Sequence, residues 1–260
     1  MEVPGVEYYR GMKETRLIMG MPIEIEIVGQ GVGTALESAF AYLVGVDEQF
    51  SVYKETSEIS RINRGELPIE LASREMQEVF AIAEKTKRET NGYFDMRRPD
   101  GSIDPSGIVK GWAILNTAAL IRAAGHENYF VNAGGDIAMR GSPSADGAEG
   151  GEWSVGIRNP FNIHEVVKVV YPHGKGIATS GSYIRGDHIY NPHAPEEKLQ
   201  EIVSITVIGP DVLEADRFAT AAFAMGKEGI SFIERLDGFE GYAIDANGIA
   251  TMTSGFGTYT

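Results

Sequence analysis

The chain has 260 residues, of which 43% are hydrophobic and 23% charged, enough apolar surface for one large core or two small ones. A net charge of −14 argues against general nucleic-acid binding, and the absence of cysteine excludes disulfides, zinc–thiolate sites and thiol nucleophiles. No stretch approaches the roughly 18 continuous apolar residues of a membrane-crossing helix, and the first twenty residues carry no apolar export segment or lipobox cysteine; the expectation is a cytoplasmic protein, or one whose leader has been removed.

In chain order, the first clear element is PIEIEIV (22–28), where Ile23, Ile25 and Ile27 alternate with Glu24 and Glu26 as on a half-buried strand. Residues 33–50 carry apolar side chains at helical spacing. Residues 73–92 form a second helix, with Ser73 as N-cap, basic residues late and Gly92 as its stop. Residues 106–125 form a third, ended by Gly125. The pattern then changes to strands separated by turn residues: NYFVNAGGDIAMRG, EWSVGIRNP, EVVKVVYP, GIATSGSYIRG and EIVSITVIG. The segment 142–152 reads as a flexible surface loop. A small-residue helix follows at 214–226, then a short helix in EGISFIERLDG and a terminal hairpin turning at Asn247-Gly248. Strands and helices fall in separate blocks, which predicts an α+β fold, and no linker divides residues 1–260.

Four segments carry candidate chemistry. In DPSGIVKGWA (104–113) a turn opens a helix, Asp104 or Ser106 can cap it, and Gly107 leaves backbone N–H groups open to an anion with Lys110 one turn on. It is either a phosphate cradle or a capped helix with an exposed lysine. In VNAGGDIAMRG (131–141) the Gly134-Gly135 pair predicts a bulge or a close backbone contact, and Asp136 is read as structural, satisfying nearby N–H groups. ATSGSYIRGDHIYNPHA (178–194) concentrates hydroxyls and charges, with His188 a candidate base or a structural histidine. On EADRFATAAFAMG (214–226), Asp216, Ala219 and Thr220 share one helix face. A carboxylate and a hydroxyl are hard oxygen ligands suited to Mg²⁺; the alternative is an acid near a helix start and a threonine bonded back to a carbonyl.

Taken in order, these segments resemble the ApbE-type FAD:protein FMN transferases over nearly the whole chain. FSVYKETSEISRINR (50–64) is similar to the family's F-S-x-Y-x-x-x-S-E block, NGYFDMR (91–97) to its G-x-F-D segment, and DPSGIVKGWA to its helix-opening K-G-[YW]-A block. VNAGGDI, TSGSYIRGDHIYNP and EADRFATAAFAMG resemble the remaining three. The resemblance implies a single α+β flavin-transferase domain with FAD in a cleft between two lobes. The implied reaction is Mg²⁺-assisted cleavage of the FAD pyrophosphate, with FMN moving to a Thr or Ser hydroxyl of an acceptor protein and AMP leaving. It also implies roles. Asp216 and Thr220 are metal ligands, with main chain at Gly107 and Ala219. Met19, Tyr53, Tyr93, Phe94, Asp95, Asp104 and Lys110 contact flavin or adenine, as does Tyr190 through its main chain. Lys110 holds phosphate charge and His188 accepts the hydroxyl proton. Two positions depart from the pattern: Asn191 stands where the family has an acid, and Met21 where it has a threonine. Two other readings share the same site: an FAD pyrophosphatase giving AMP and FMN, and a non-catalytic FAD-binding protein.

Overall fold

The computed structural model describes residues 11–144, 151–182 and 189–260. Its backbone is one eight-stranded antiparallel sheet in the order β1-β2-β3-β4-β7-β8-β9-β10, with a separate two-stranded ribbon, β5-β6. β1 (Met12–Ile18) and β2 (Met21–Ile27) form an edge hairpin. Its two turn residues, Met19 (φ 53) and Gly20 (φ 70), both take left-handed conformations, the turn that matches strand twist. β2 alternates as expected, with Ile23, Ile25 and Ile27 wholly buried. β1 was not legible because its alternation is between polar residues. Cross-strand charges hold it, Lys13 lying 3.0 Å from Glu24 and 3.5 Å from Glu26, and charges of this kind also blunt an exposed sheet edge.

β3 (Tyr129–Ala133) and β4 (Asp136–Arg140) correct one expectation. Gly134 (φ 62) and Gly135 (φ 102) are the two-residue turn of this hairpin and not a bulge within a strand. Two adjacent glycines permit two successive positive φ angles, which a bulge does not need. The sheet continues through β7 (Gly176–Gly181), β8 (Ile202–Gly209), β9 (Glu240–Asp245) and β10 (Ala250–Met252). Gly248 (φ 78) lies in the last hairpin's turn, as expected. β5 (Val155–Asn159) and β6 (Asn162–Val170) form the ribbon. The expected loop at 142–152 lies partly outside the described residues.

Side-chain alternation divides the sheet's two faces. One face of β1–β4 packs under α1 (Gly33–Phe50) and α4 (Ser106–Ala123), with α3 (Arg74–Glu89) laid against α4, around Leu36, Phe40, Leu43 and Met76. Burying each of these large side chains contributes roughly 2 kcal/mol. The same face of β7–β9 packs under α5 (Val212–Ala224) and α6 (Glu228–Glu234), around Ile205, Phe218 and Phe223. The opposite face lies against the ribbon, through Trp153, Ile157, Val170 and Phe256. The fold is thus α+β, and its two lobes are two helical layers on one continuous sheet.

Local signals explain the helix ends. Ser73 accepts from Met76 N at 3.1 Å, capping α3. Gly92 (φ 82) closes it, donating to the Lys87 carbonyl at 2.8 Å. Asp211 caps α5 by accepting from Glu214 N at 2.9 Å. The short α2 (Glu58–Asn63), capped by Ser57, falls inside the segment 50–64, whose helix was not read from sequence. Among the described residues no helix is long and apolar enough to cross a membrane.

Candidate active site

The two helical layers meet where α4 crosses α5, and the crossing is close because α4 presents glycine there. Gly107 and Gly111 are one turn apart on α4, as Asp216 and Thr220 are on α5. A Cβ at Gly111 would lie 2.9 Å from both Leu213 Cα and Asp216 Cβ; one at Gly107 would lie 2.8 Å from the Phe94 ring and 3.6 Å from Thr220 Cγ2. No side chain fits at either position without displacement. The small residues of α5 serve the same end: Ala215, Ala219, Ala221 and Ala222 are fully buried between the sheet and its neighbours. Gly111 escaped the sequence reading, although small residues four apart on a helix are a signal for close crossing.

This approach lets backbone reach side chain. Gly111 N donates to Asp216 Oδ2 at 2.9 Å. Asp216 is only 2% exposed. Lys110 Nζ lies 3.5 Å from Asp216 Oδ1 and also pairs with Asp136, whose side chain is fully buried. Asp136 Oδ1 accepts from Thr179 N at 3.1 Å. Its expected structural role is therefore present, and an unforeseen one is added, an ion pair with a cleft lysine. Burial, with the Asp136 carboxylate alongside, pushes the Asp216 carboxyl up to about 8. Among the described residues two buried carboxyls face one ammonium here, so Asp216 keeps its proton until a further cation arrives.

In front of this cluster opens a cleft. Its floor holds Gly107, Lys110, Asp216 and Thr220, and its walls come from Tyr93, Phe94, Asp95 and Asp104 on one side and Thr179, Ser180 and Tyr190 on the other. Neighbouring groups fix those walls. Phe94 N donates to Thr90 Oγ1 at 3.1 Å. Asp95 pairs with Lys87 at 2.6 Å, and Asp104 pairs with Arg98 while accepting from Ser106 N at 3.0 Å at the head of α4. The segment 189–194 is tied to the segment that carries Tyr93 and Asp95, Tyr190 OH donating to the Arg97 carbonyl at 3.2 Å and His193 Nε2 to the Asn91 carbonyl at 2.9 Å.

The structure therefore gathers most of the residues singled out in the sequence: Tyr93, Phe94, Asp95, Asp104, Gly107, Lys110, Tyr190, Asp216 and Thr220 all line one cleft. Three do not line it. Met19 sits in the β1–β2 turn, partly buried against the first core. Tyr53 is 92% exposed, and Ala219 is enclosed in the core beneath α5. His188 lies outside the described residues. Arg98 lines the cleft without having been singled out, and Thr179 and Ser180 of the hydroxyl-rich segment 178–194 line it too.

The donor chemistry fits a hard divalent cation. Asp216 and Thr220 offer a carboxylate and a hydroxyl on one helix face, beside Gly107 backbone that no Cβ obstructs. Among the described residues no three His, Asp or Glu side chains form a cage of their own. A Mg²⁺ held with few protein oxygens leaves positions for water and phosphate.

Comparisons with known proteins agree with one another. The model of the ApbE family matches residues 19–98 and 96–243. The FAD:protein FMN transferase of Escherichia coli K12 is 32% identical over 170 residues, covering 62% of this chain and 47% of that protein. The chain thus matches about half the length of that relative. The Haemophilus influenzae protein of the same name is 24% identical over 319 residues, covering 93% of this chain and 91% of that one. Among solved structures, the flavin transferase ApbE of Vibrio cholerae superposes with a TM-score of 0.83 at 23% identity, over 96% of this chain and 99% of that chain. The ApbE protein of Thermotoga maritima gives 0.83 at 21% identity, with the same coverages. These likenesses establish the shared fold.

Proposed function

The chain belongs to the ApbE family, and from that premise we propose that it transfers FMN from FAD to a Thr or Ser hydroxyl of an acceptor protein, releasing AMP. The observation that carries the reading is the convergence of Lys110, Asp216 and Thr220 with the glycine-lined head of α4 in a single cleft. The names of the Escherichia coli and Haemophilus influenzae relatives support it.

Each residue has work that its chemistry allows. The aromatic walls, Tyr93, Phe94 and Tyr190, suit a flat ring system. Lys110 and the N-terminus of α4 suit the pyrophosphate, through an ammonium and helix-end N–H groups. Asp216 and Thr220, with Gly107 main chain, would hold Mg²⁺. Bound there, the ion would neutralise charge on the phosphate oxygens and on departing AMP. In the transfer itself, the bond from the FMN phosphorus to the bridging oxygen breaks and AMP leaves with that oxygen. A bond from the same phosphorus to the acceptor hydroxyl oxygen forms. The hydroxyl proton passes to a base, and the family resemblance assigns that part to His188. Little covalent work falls to the protein, so positioning and charge neutralisation dominate.

Incubating the protein with FAD, Mg²⁺ and an acceptor domain carrying a family-type Thr site tests the reading. AMP release together with an acceptor heavier by one FMN is the expected result. AMP and free FMN with an unmodified acceptor would replace transfer by hydrolysis, and intact FAD would remove catalysis altogether.

A further inference from the structure

Asp136 lies behind the cleft floor, fully buried and absent from the cleft lining, yet it is charge partner to a residue that does line it. Three facts define its position. It starts β4, directly after the Gly134-Gly135 turn, so the hairpin geometry fixes where its carboxylate points. Its Oδ1 is held by Thr179 N on β7, at 3.1 Å. Its Oδ2 pairs with Lys110 Nζ more closely than does Asp216 Oδ1, which stands 3.5 Å from the same nitrogen. Of these two buried carboxylates, the ammonium lies nearer the one that cannot touch a ligand.

The consequence concerns the cation. A divalent ion at Asp216 and a lysine ammonium compete for one carboxylate in a water-poor site, where such charges act strongly on each other. Resting on the reading given above, we propose that Asp136 is a positioning residue that draws the Lys110 ammonium off Asp216 and so keeps Asp216 open to the metal. Removing the Asp136 charge sends Lys110 onto Asp216, where it occupies the oxygen the metal needs. Lys110 is thereby fixed by Asp136 and left for the substrate's phosphates to use.

Asp136→Asn separates this role from a structural one, because the amide oxygen still accepts from Thr179 N while the charge is gone. The readout is Mn²⁺ binding by the full chain without flavin, with free Mn²⁺ measured by electron paramagnetic resonance and Asp216→Ala as the blank for other sites. Wild type should bind Mn²⁺ in an Asp216-dependent manner. Asp136→Asn should weaken that binding at least about tenfold, the scale of coupling between close charge pairs. The double variant Asp136→Asn with Lys110→Met should return it to wild-type strength or better, because the competitor is absent. Lys110→Met alone should bind more tightly than wild type, which keeps the idea testable if Asp136→Asn does not fold. Equal Mn²⁺ affinity in wild type and folded Asp136→Asn would overturn the inference and leave the proposed function standing. A weakening that persists in the double variant, or a Lys110→Met protein that binds no more tightly than wild type, would also overturn it. Wild type that shows no Asp216-dependent Mn²⁺ binding would overturn both this inference and the metal assignment beneath it.

Discussion

Adjacent residues on α5, Asp216 and Arg217, are each 2% exposed, yet the charge clusters around them differ in kind. Arg217 pairs with Glu89 of α3 and Glu214 of α5, donates to Thr86 Oγ1 at 3.3 Å, and lies 3.9 Å over the Phe218 ring. Its acids reach solvent, with side chains 37% and 26% exposed, so little desolvation is left unbalanced. On the other side Asp216 and Asp136 are 2% and 0% exposed and share Lys110. The first cluster balances its guanidinium with two solvent-reaching acids, leaving only Arg217 Nε without a partner among the described residues, and staples α5 to α3. Among the described residues the second sets two buried carboxyls against one ammonium, a balance kept by a proton on Asp216 or by a cation that takes its place. Equal burial hides this difference; counting charges against exposure exposes it.

The largest effect belongs to Asp216→Ala, which should cut metal-dependent AMP release by roughly 10³-fold or more while far-ultraviolet circular dichroism stays unchanged; near-normal turnover would end the functional reading of that side. Next is Gly111→Ala. Its methyl would lie 2.9 Å from Leu213 Cα, forcing α4 from α5, so thermal unfolding should show a loss of about 1–3 kcal/mol and AMP release should fall with it. Arg217→Met should cost about 1–3 kcal/mol, less than the ~3–5 of breaking a fully buried pair, because Glu89 and Glu214 can turn to water. Its AMP release should stay within about threefold of wild type.

A smaller effect is expected from pH. The folded-state carboxyl of Asp216 is raised from 3.8 to about 8, so between those values the folded chain holds a proton that the unfolded chain releases. That contribution to metal-free stability is fully present at low pH and is lost as pH rises through the window. Asp216→Asn cannot lose it. The melting temperature of Asp216→Asn minus that of wild type should therefore grow from pH 5 to pH 8. A flat difference would mean that Asp216 is not strained by its surroundings.

Much of this was legible in the chain. Period-two alternation gave β2, and apolar spacing with Ser73 and Gly92 gave α3 nearly to its ends, because local chemistry decides those features. Asp216 and Thr220 were visible as an acid and a hydroxyl on one face of an alanine-rich helix. What stayed hidden depends on tertiary distance. Nothing local to Asp136 says that it meets Lys110, since the two lie 26 positions apart with a hairpin turn between them. Gly111 shows its purpose only beside α5, and β1 is a strand because β2 pairs with it. Tyr53 and Met19, assigned to flavin by resemblance alone, do not reach the cleft lining.

The most direct measurement is anomalous diffraction from crystals of the protein soaked with Mn²⁺ and an FAD analogue that resists cleavage. One strong peak is expected within bonding distance of the Asp216 carboxylate and the Thr220 hydroxyl, beside Gly107 main chain and against the analogue's phosphates. A fully occupied metal that touches neither Asp216 nor Thr220 would contradict it.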